Sequence, residues 1–466
     1  MTTYLGLIRT VIVDNDESEL NQLVEGMHEA HIPVLPLRYS IESGVIGVPD
    51  HSVLCVRMLF VDMNLADSSA PSSRDIAPTI AEVISSVVPH NNGPYALIFW
   101  SKHRYLADEV LQILGERHAD IPMPIVVDAL DKNDFKVPEA EEAHANWLGN
   151  LKKGIDTVVQ RSHQLTALMA WEREIGVAAS ATLNAITNIL SRTAPWDIAQ
   201  HAANLADVLG RIAQEATGKK NASDRPEEAI HLGLQPILID NLERNVALSR
   251  NMRDVWLAAM PRVKQNEAIK FEDDGADRRL NTFYCVSPMV SDVSKTDRGA
   301  FVAISDRHLN DDCFRLNFGK SINEMSEDFI NVSGLTNAQK REIRGRLKWG
   351  FVEISADCDH AQRKARLFRY VLAAIVPNER KENTIFTDMN GSDSDRRHNA
   401  IYRMPEIEYN GNSVVLFANF RYLMGLTATA DILGDVVLRI RSGILSELIH
   451  SYSRYVARPG VVSFSH

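Results

Sequence analysis

In the first third of this sequence, short apolar runs repeatedly end in side chains suited to holding a metal ion and a phosphoryl group. Asp14-Asn15-Asp16-Glu17 follows Thr10 to Val13, Asp62 follows Met58 to Val61, Ser101-Lys102 follows Ala96 to Trp100, and Lys132 comes after Pro124 to Val127. Clustered carboxylates suit a hard, octahedral cation such as Mg2+, which needs only a few protein oxygens beside its waters. A further carboxylate can serve as nucleophile toward phosphorus, while a hydroxyl and an ammonium take up the charge of the phosphoryl oxygens. One Asp after a strand means little, because Asp opens many turns. Four suitable ends in order mean more.

For these groups to meet, the runs that carry them must be parallel strands sharing one carboxyl edge, where sites of open α/β sheets collect. The pattern predicts five strands: Thr10 to Val13, Pro33 to Arg38, Met58 to Val61, Ala96 to Trp100 and Pro124 to Val127. Between them Leu20, Leu23, Val24 and Met27, and later Leu106, Val110, Leu111 and Leu114, recur at helical spacing. Asp67 to Arg74, rich in Ser and Pro, reads as a loop. Strands alternating with helices give an α/β fold, a doubly wound parallel five-stranded sheet, over residues 1–138.

The runs Val11 to Leu20 (VIVDNDESEL) and Leu59 to Leu65 (LFVDMNL) make this region similar to a response-regulator receiver domain, over about residues 8–137. The resemblance implies that Asp62 is the phosphoacceptor and that Asp14, Asp16 and Asp62, with the carbonyl of Asn64, hold Mg2+. It makes Ser101 the switch hydroxyl and Lys132 the phosphate-pairing lysine, with a histidine kinase as the donor partner. Signalling would then pass from Ser101 to the Tyr105 helix and on to the segment beyond residue 139. The sequence departs from the family twice. Asn15 separates the two acids after the first strand, and Asn133 rather than proline follows Lys132, which lies well past the fifth run. Large receiver proteins with unfamiliar C-terminal regions resemble components of two-component-like phage-defence systems of the Detocs type. That likeness implies a phosphate acceptor or buffer beside a kinase and an effector protein.

Beyond the receiver-like region, 139–177 reads as one long connecting helix. Leu148, Leu151, Ile155, Val158, Leu165 and Met169 form a heptad-like seam, interrupted at Ser162, that could make a homodimer or pack on its own chain. Residues 178–268 read as a helical middle domain. Residues 269–466 read as a C-terminal α+β domain built on a small barrel, with β-like runs at Thr282 to Val286, Ala300 to Ser305, Gly350 to Ser355, Tyr370 to Val376 and Ser413 to Asn419. A last amphipathic helix is expected at Val436 to Tyr455, and a loop at Asn390 to Arg397.

Glu353 to Gln362 combines Asp357, Cys358, Asp359 and His360, a candidate hydrolase or nuclease site gated by the receiver; its plainer reading is a structural turn. Cys285, Cys313, His308 and Cys358 have no zinc-like spacing. Gln339 to Lys348 is basic, but a net charge of -11 over 466 residues argues against a protein that coats nucleic acid. Four cysteines without a CxxC pair fit a reducing compartment, and no signal-peptide pattern or membrane-spanning run stands out, so a cytoplasmic protein without membrane partners is expected. With no P-loop, no GxGxxG and no ATP lid, the chain reads as a receiver of phosphate rather than a kinase; a scaffold with a silent receiver is the other non-enzymatic reading.

Overall fold

The computed structural model describes residues 7–132, 141–190, 196–248, 252–287, 291–329, 336–362, 367–378 and 400–457. The chain divides into two compact units, Met1–Ala185 with Ile237–Ile269, and Ile186–Pro236 with Lys270–His466.

The first unit is built on six strands: β1 (Ile8–Asp14), β2 (Leu35–Ser40), β3 (Gly44–Ile46), β4 (Leu54–Val61), β5 (Ala96–Trp100) and β6 (Val126–Leu130). Their order is β3-β2-β1-β4-β5-β6. All neighbours are parallel except β3, which folds back antiparallel on β2. The five expected strands are therefore present, and β3 makes a sixth. It was invisible to pattern because three residues carry no period, and its turn is marked only by Gly44 at φ +65. Leaving β3 aside, the order is that of the flavodoxin-like doubly wound sheet, with a switch point between β1 and β4. The central strands are apolar without alternation, as sheets buried on both faces require: Val11, Ile12, Val13, Leu59, Phe60, Val61, Leu97, Ile98 and Phe99 are all at most 1 % exposed.

Helices cover both faces. On one lie α2 (Ser73–Val87), whose Ile76, Ile80, Val83, Ile84 and Val87 are buried, and α3 (Ala107–Arg117). On the other lies α1 (Glu17–Glu29), where Leu20, Leu23 and Met27 pack with Ile12, Phe60 and Ile98. The single helix expected over 139–177 is two: α4 (Glu141–Gln160) and α5 (His163–Ile189). Ser162 makes the break by capping the second, its Oγ accepting from the Leu165 amide at 3.1 Å. The seam residues Leu151, Ile155, Val158 and Leu165 are buried in the same core as Leu20 and Phe60. Trp147 joins them, and the Leu148 side chain lies outside the described set. The seam is thus occupied within the chain, and α4 serves as a covering layer of the sheet.

The second unit carries an antiparallel sheet of β7 (Val286–Ser287), β8 (Ala300–Ile304), β9 (Lys348–Glu353), β10 (Phe368–Pro377), β11 (Ile401–Arg403), β12 (Ile407–Tyr409), β13 (Asn412–Leu426) and β14 (Leu433–Ile440). Its order is β11-β13-β10-β9-β8-β14-β7, with β12 paired to β13. Among the described residues β7 and β11 are the ends of the sheet, which makes a half-barrel where a small barrel was expected. Strand alternation sorts it into two cores. Trp349, Phe351, Tyr370, Leu372 and Phe417 meet Phe314 and Phe329 from helices Asp311–Phe318 and Ile322–Phe329. Val352, Val371, Ala373 and Leu416 meet Leu445 and Leu448 from helix Ser442–Val456.

Two expectations shift here. Thr282 to Cys285 belongs to a helix, Ala276–Cys285, leaving only Val286–Ser287 as strand. Residues 436–440 belong to β14, so the last helix begins at Ser442. The helical middle is present, led by Ile198–Thr217 and Pro226–Leu248. The loop expected at Asn390 to Arg397 lies outside the described residues. Among the described residues no helix is long and apolar enough to cross a membrane.

Candidate functional site

At the carboxyl edge of the first sheet a polar cleft of about 230 Å³ is lined by Asn15, Asp16, Glu19, Asp62, Asn64, Asp67, Ser101, Lys102, His103 and Lys132. Each strand end supplies its group. Asp14 is the last residue of β1, Asp62 follows β4, Ser101 follows β5, and Lys132 comes two residues after β6. All four are buried: Asp14 is 1 % exposed, Asp62 7 %, Ser101 0 % and Lys132 5 %.

Lys132 is the hub. Its Nζ lies 2.7 Å from Asp14 Oδ2, 2.6 Å from Glu19 Oε2 and 3.0 Å from Asp62 Oδ2. Its distance from the apparent fifth strand disappears because that strand runs on to Leu130, pairing Trp100 with Leu130. Ser101 extends the ladder by donating its amide to the Leu130 carbonyl at 3.1 Å. Asp128, which looks like a strand terminator, sits inside β6 with its carboxylate 2.9 Å from Arg161 Nη1.

Asp62 is oriented from two sides. Lys132 holds Oδ2, and Oδ1 accepts from the Asn64 amide at 3.2 Å. The Asn64 carbonyl accepts from the Asp67 amide at 2.9 Å, closing the turn, and keeps a second lone pair. The Ser101 hydroxyl accepts from the His103 amide at 3.2 Å.

Asp16 does something other than the metal binding expected of it. Its Oδ1 caps α1, accepting from the amides of Ser18 at 2.8 Å and Glu19 at 3.0 Å. The third carboxylate is instead Glu19. Oxygens of Asp14, Glu19 and Asp62 lie within 4.8 Å of one another. Sequence reasoning missed Glu19 although a signal was present. Asp16 is an N-cap and Glu19 stands three residues on, where a helical side chain leans back toward the N-terminus and so toward the sheet edge. Lys102, 2.6 Å from Glu19 Oε1, completes the ring.

The electrostatics follow from burying Asp14, Asp62 and Lys132 beside the half-buried Glu19 and the exposed Lys102. Burial outweighs Lys132 at Asp14, and the neighbouring Asp62 adds to it, so the Asp14 carboxyl is pushed up to about 6. Burial would also raise Glu19, but hydrogen bonds and charge from Lys102 and Lys132 outweigh it and hold this carboxyl below its usual range. Burial would depress Lys132; Asp62, Asp14 and Glu19 outweigh it and keep the ammonium charged well above the ordinary lysine range. Three hard oxygen donors, one short of charge compensation, can hold a divalent cation.

The other candidates do not assemble. Cys358 is exposed and its Sγ donates to Asp359 at 3.9 Å, while His360 turns its Nε2 to the Thr296 carbonyl at 3.2 Å rather than to the thiol. Asp357 pairs with Arg298. Among the described residues, Asp14, Glu19 and Asp62 are the single grouping of three or more such side chains able to share an ion, so the cysteines and His308 form no zinc set. No protein-family model matches the chain, and no curated protein matches it either.

Proposed function

We propose that the N-terminal unit is a response-regulator receiver that accepts a phosphoryl group on Asp62 from a phosphohistidine of a partner histidine kinase. The observation that carries this reading is the meeting of Asp62, Ser101 and Lys132, each from a different strand end, in one cleft, with Lys132 Nζ 3.0 Å from Asp62 Oδ2 and 2.7 Å from Oδ2 of the buried Asp14. A bound Mg2+, which Asp14, Glu19, Asp62 and the Asn64 carbonyl would hold, supplies neutralisation of the phosphoryl oxygens.

In the transfer, an Asp62 oxygen forms the new P–O bond as the P–N bond breaks, its electron pair remaining on the donor imidazole. Asp62 brings a carboxylate already aimed by Lys132 and the Asn64 amide, so little reorientation is needed. Lys132 pairs with the charge that arrives, and the Ser101 hydroxyl in the same cleft can turn from the His103 amide toward a phosphoryl oxygen. Such a turn would pull on the segment 102–106 that leads into α3 and carries the exposed Tyr105.

Incubation of the full chain with Mg2+ and phosphoramidate or acetyl phosphate tests the reading. A phosphorylated species is expected by intact mass, absent from Asp62→Asn. If none forms even with a cognate kinase, the reading fails.

A further inference from the structure

At the opposite, amino-terminal edge of the same sheet lies a larger cavity of about 650 Å³, whose lining includes Arg9, Arg57, Met169, Glu172, Arg173 and Gly176. We propose that it is a second binding site, for a small organic anion whose carboxylate or phosphate meets Arg9 and Arg173 and whose compact apolar body lies against Met169, Gly176 and Val177. The proposal goes beyond the phosphoacceptor reading and does not depend on it.

The cavity begins with a backbone irregularity. Between Ile8 and Thr10 the pairing of β1 with β4 slips, so that Cys55, Val56 and Arg57 all lie opposite Arg9. Such a bulge re-aims side chains. Arg57, only 7 % exposed, is set rigidly by it. Its Nε lies 3.1 Å from both Glu172 oxygens, Nη2 2.5 Å from Oε1, and Nη1 donates to the Val56 carbonyl at 3.0 Å. Burial would lower this guanidinium, but Glu172 outweighs it and keeps it charged. Arg9 pairs with the same carboxylate.

One glutamate therefore serves two arginines, and Arg173 carries no ion pair among the described residues. Three guanidinium groups against one carboxylate leave the cavity cationic by two charges. That excess draws an anion to the cavity, with Arg9 and Arg173 reached from solvent and the buried Arg57 holding Glu172 in place. Guanidinium forks match carboxylate and phosphate alike, so the two headgroups share this chemistry. The volume lies within the roughly 300–1,000 Å³ range of small-molecule sites. The remaining wall comes from α5, where Gly176 has open space in the direction a Cβ would take. A β-carbon at that position would point into room that a ligand can use.

The test uses the full chain and anilinonaphthalene sulfonate, an aromatic anion whose fluorescence rises in apolar surroundings. Saturable one-site binding is expected, weakening by about tenfold or more in Arg173→Ala, the scale of losing one charge-assisted hydrogen bond. Gly176→Phe, which fills the cavity while favouring the helix, should weaken it as much. Neither residue is buried, so the melting temperature should hold in both. Benzoate and AMP then compete for the site, and displacement by one or the other assigns the carboxylate or the phosphate headgroup. Absence of saturable binding, equal affinity in both variants, or displacement by neither competitor overturns the proposal.

Discussion

The ammonium of Lys132 lies 3.0 Å from Asp62 although 69 residues and two strand crossovers separate them, and it stands closer still to Asp14 and Glu19. One lysine thus holds together carboxylates that would otherwise repel. Lys132→Met should cost about 3 kcal/mol, the scale of breaking a buried pair and leaving its partner uncompensated. Because a divalent cation can replace the lost charge, Mg2+ should raise the melting temperature of this variant more than that of the wild type. Thermal melts with and without Mg2+ check it, and an equal Mg2+ response in both proteins would count against a shared carboxylate site.

Asp16 caps α1, and Glu19 stands in the carboxylate grouping where Asp16 was expected. Glu19→Gln removes a carboxylate from the grouping with Asp14 and Asp62, and Mg2+ affinity should fall at least about tenfold, the lower end of what disturbing a metal shell costs. Asp16→Asn leaves the α1 cap intact, since Asn caps as well as Asp, and should leave Mg2+ affinity nearly unchanged. Mg2+ titrations followed by tryptophan fluorescence distinguish the two, because Trp100 is buried immediately before Ser101. The reverse ranking would restore Asp16 as the ligand.

The contrast shows how far the sequence could be read. Strand ends were legible because Thr10 to Val13, Met58 to Val61 and Ala96 to Trp100 are buried on both faces and so run apolar to their last residue. The end of β6 was not, because an edge strand can carry Asp128 outward to Arg161 and thereby hide three further residues of strand. Asp14, Asp62 and Ser101 could be named from the legible ends, and Lys132 only as the cation that follows the fifth run at a distance. Glu19 was signalled locally by its place three residues after the Asp16 cap, but its arrival at the site depends also on the direction in which α1 leaves the sheet. The α4 seam had the right period for two structures, a coiled coil or a sheet cover, and only the apolar face of β1, β4 and β5 decides between them. In the second unit the apolar runs marked the strands, but the helix Ala276–Cys285 and strand β14 each took residues whose local pattern favoured the other state.

The Arg57–Glu172 pair ties α5 to the first sheet, with side chains 8 % and 18 % exposed. Glu172→Ala leaves a buried guanidinium with only the Val56 carbonyl and the Cys55 sulfur as partners. A loss of about 3 kcal/mol is expected, the usual cost of stranding one partner of a buried pair. Replacing both residues by apolar ones of similar size, Arg57→Met with Glu172→Leu, should recover most of it. Denaturant unfolding of the single and double variants measures the difference, and additive losses would show that the pair is not coupled.

Glu353 gives a prediction in the second unit. It ends β9 fully buried; Oε1 accepts from the Ser355 amide at 2.9 Å, and among the described residues Oε2 has no hydrogen-bond partner. Burial pushes its carboxyl from 4.5 up to about 7, against the pull of Ser355 and Arg298. A folded-state pKa above the unfolded one means that the unfolded chain releases this proton first. The stability linked to Glu353 is therefore complete below about pH 4.5 and declines as the pH rises to about 7, by about 3 kcal/mol for a shift of this size. Glu353→Gln keeps an acceptor for Ser355 and carries no charge to desolvate, so it should remove this decline and melt higher than the wild type at pH 8. Melting curves of both proteins from pH 5 to 8 decide the matter. Parallel pH profiles would mean that Glu353 titrates no differently in the folded chain than in the unfolded one.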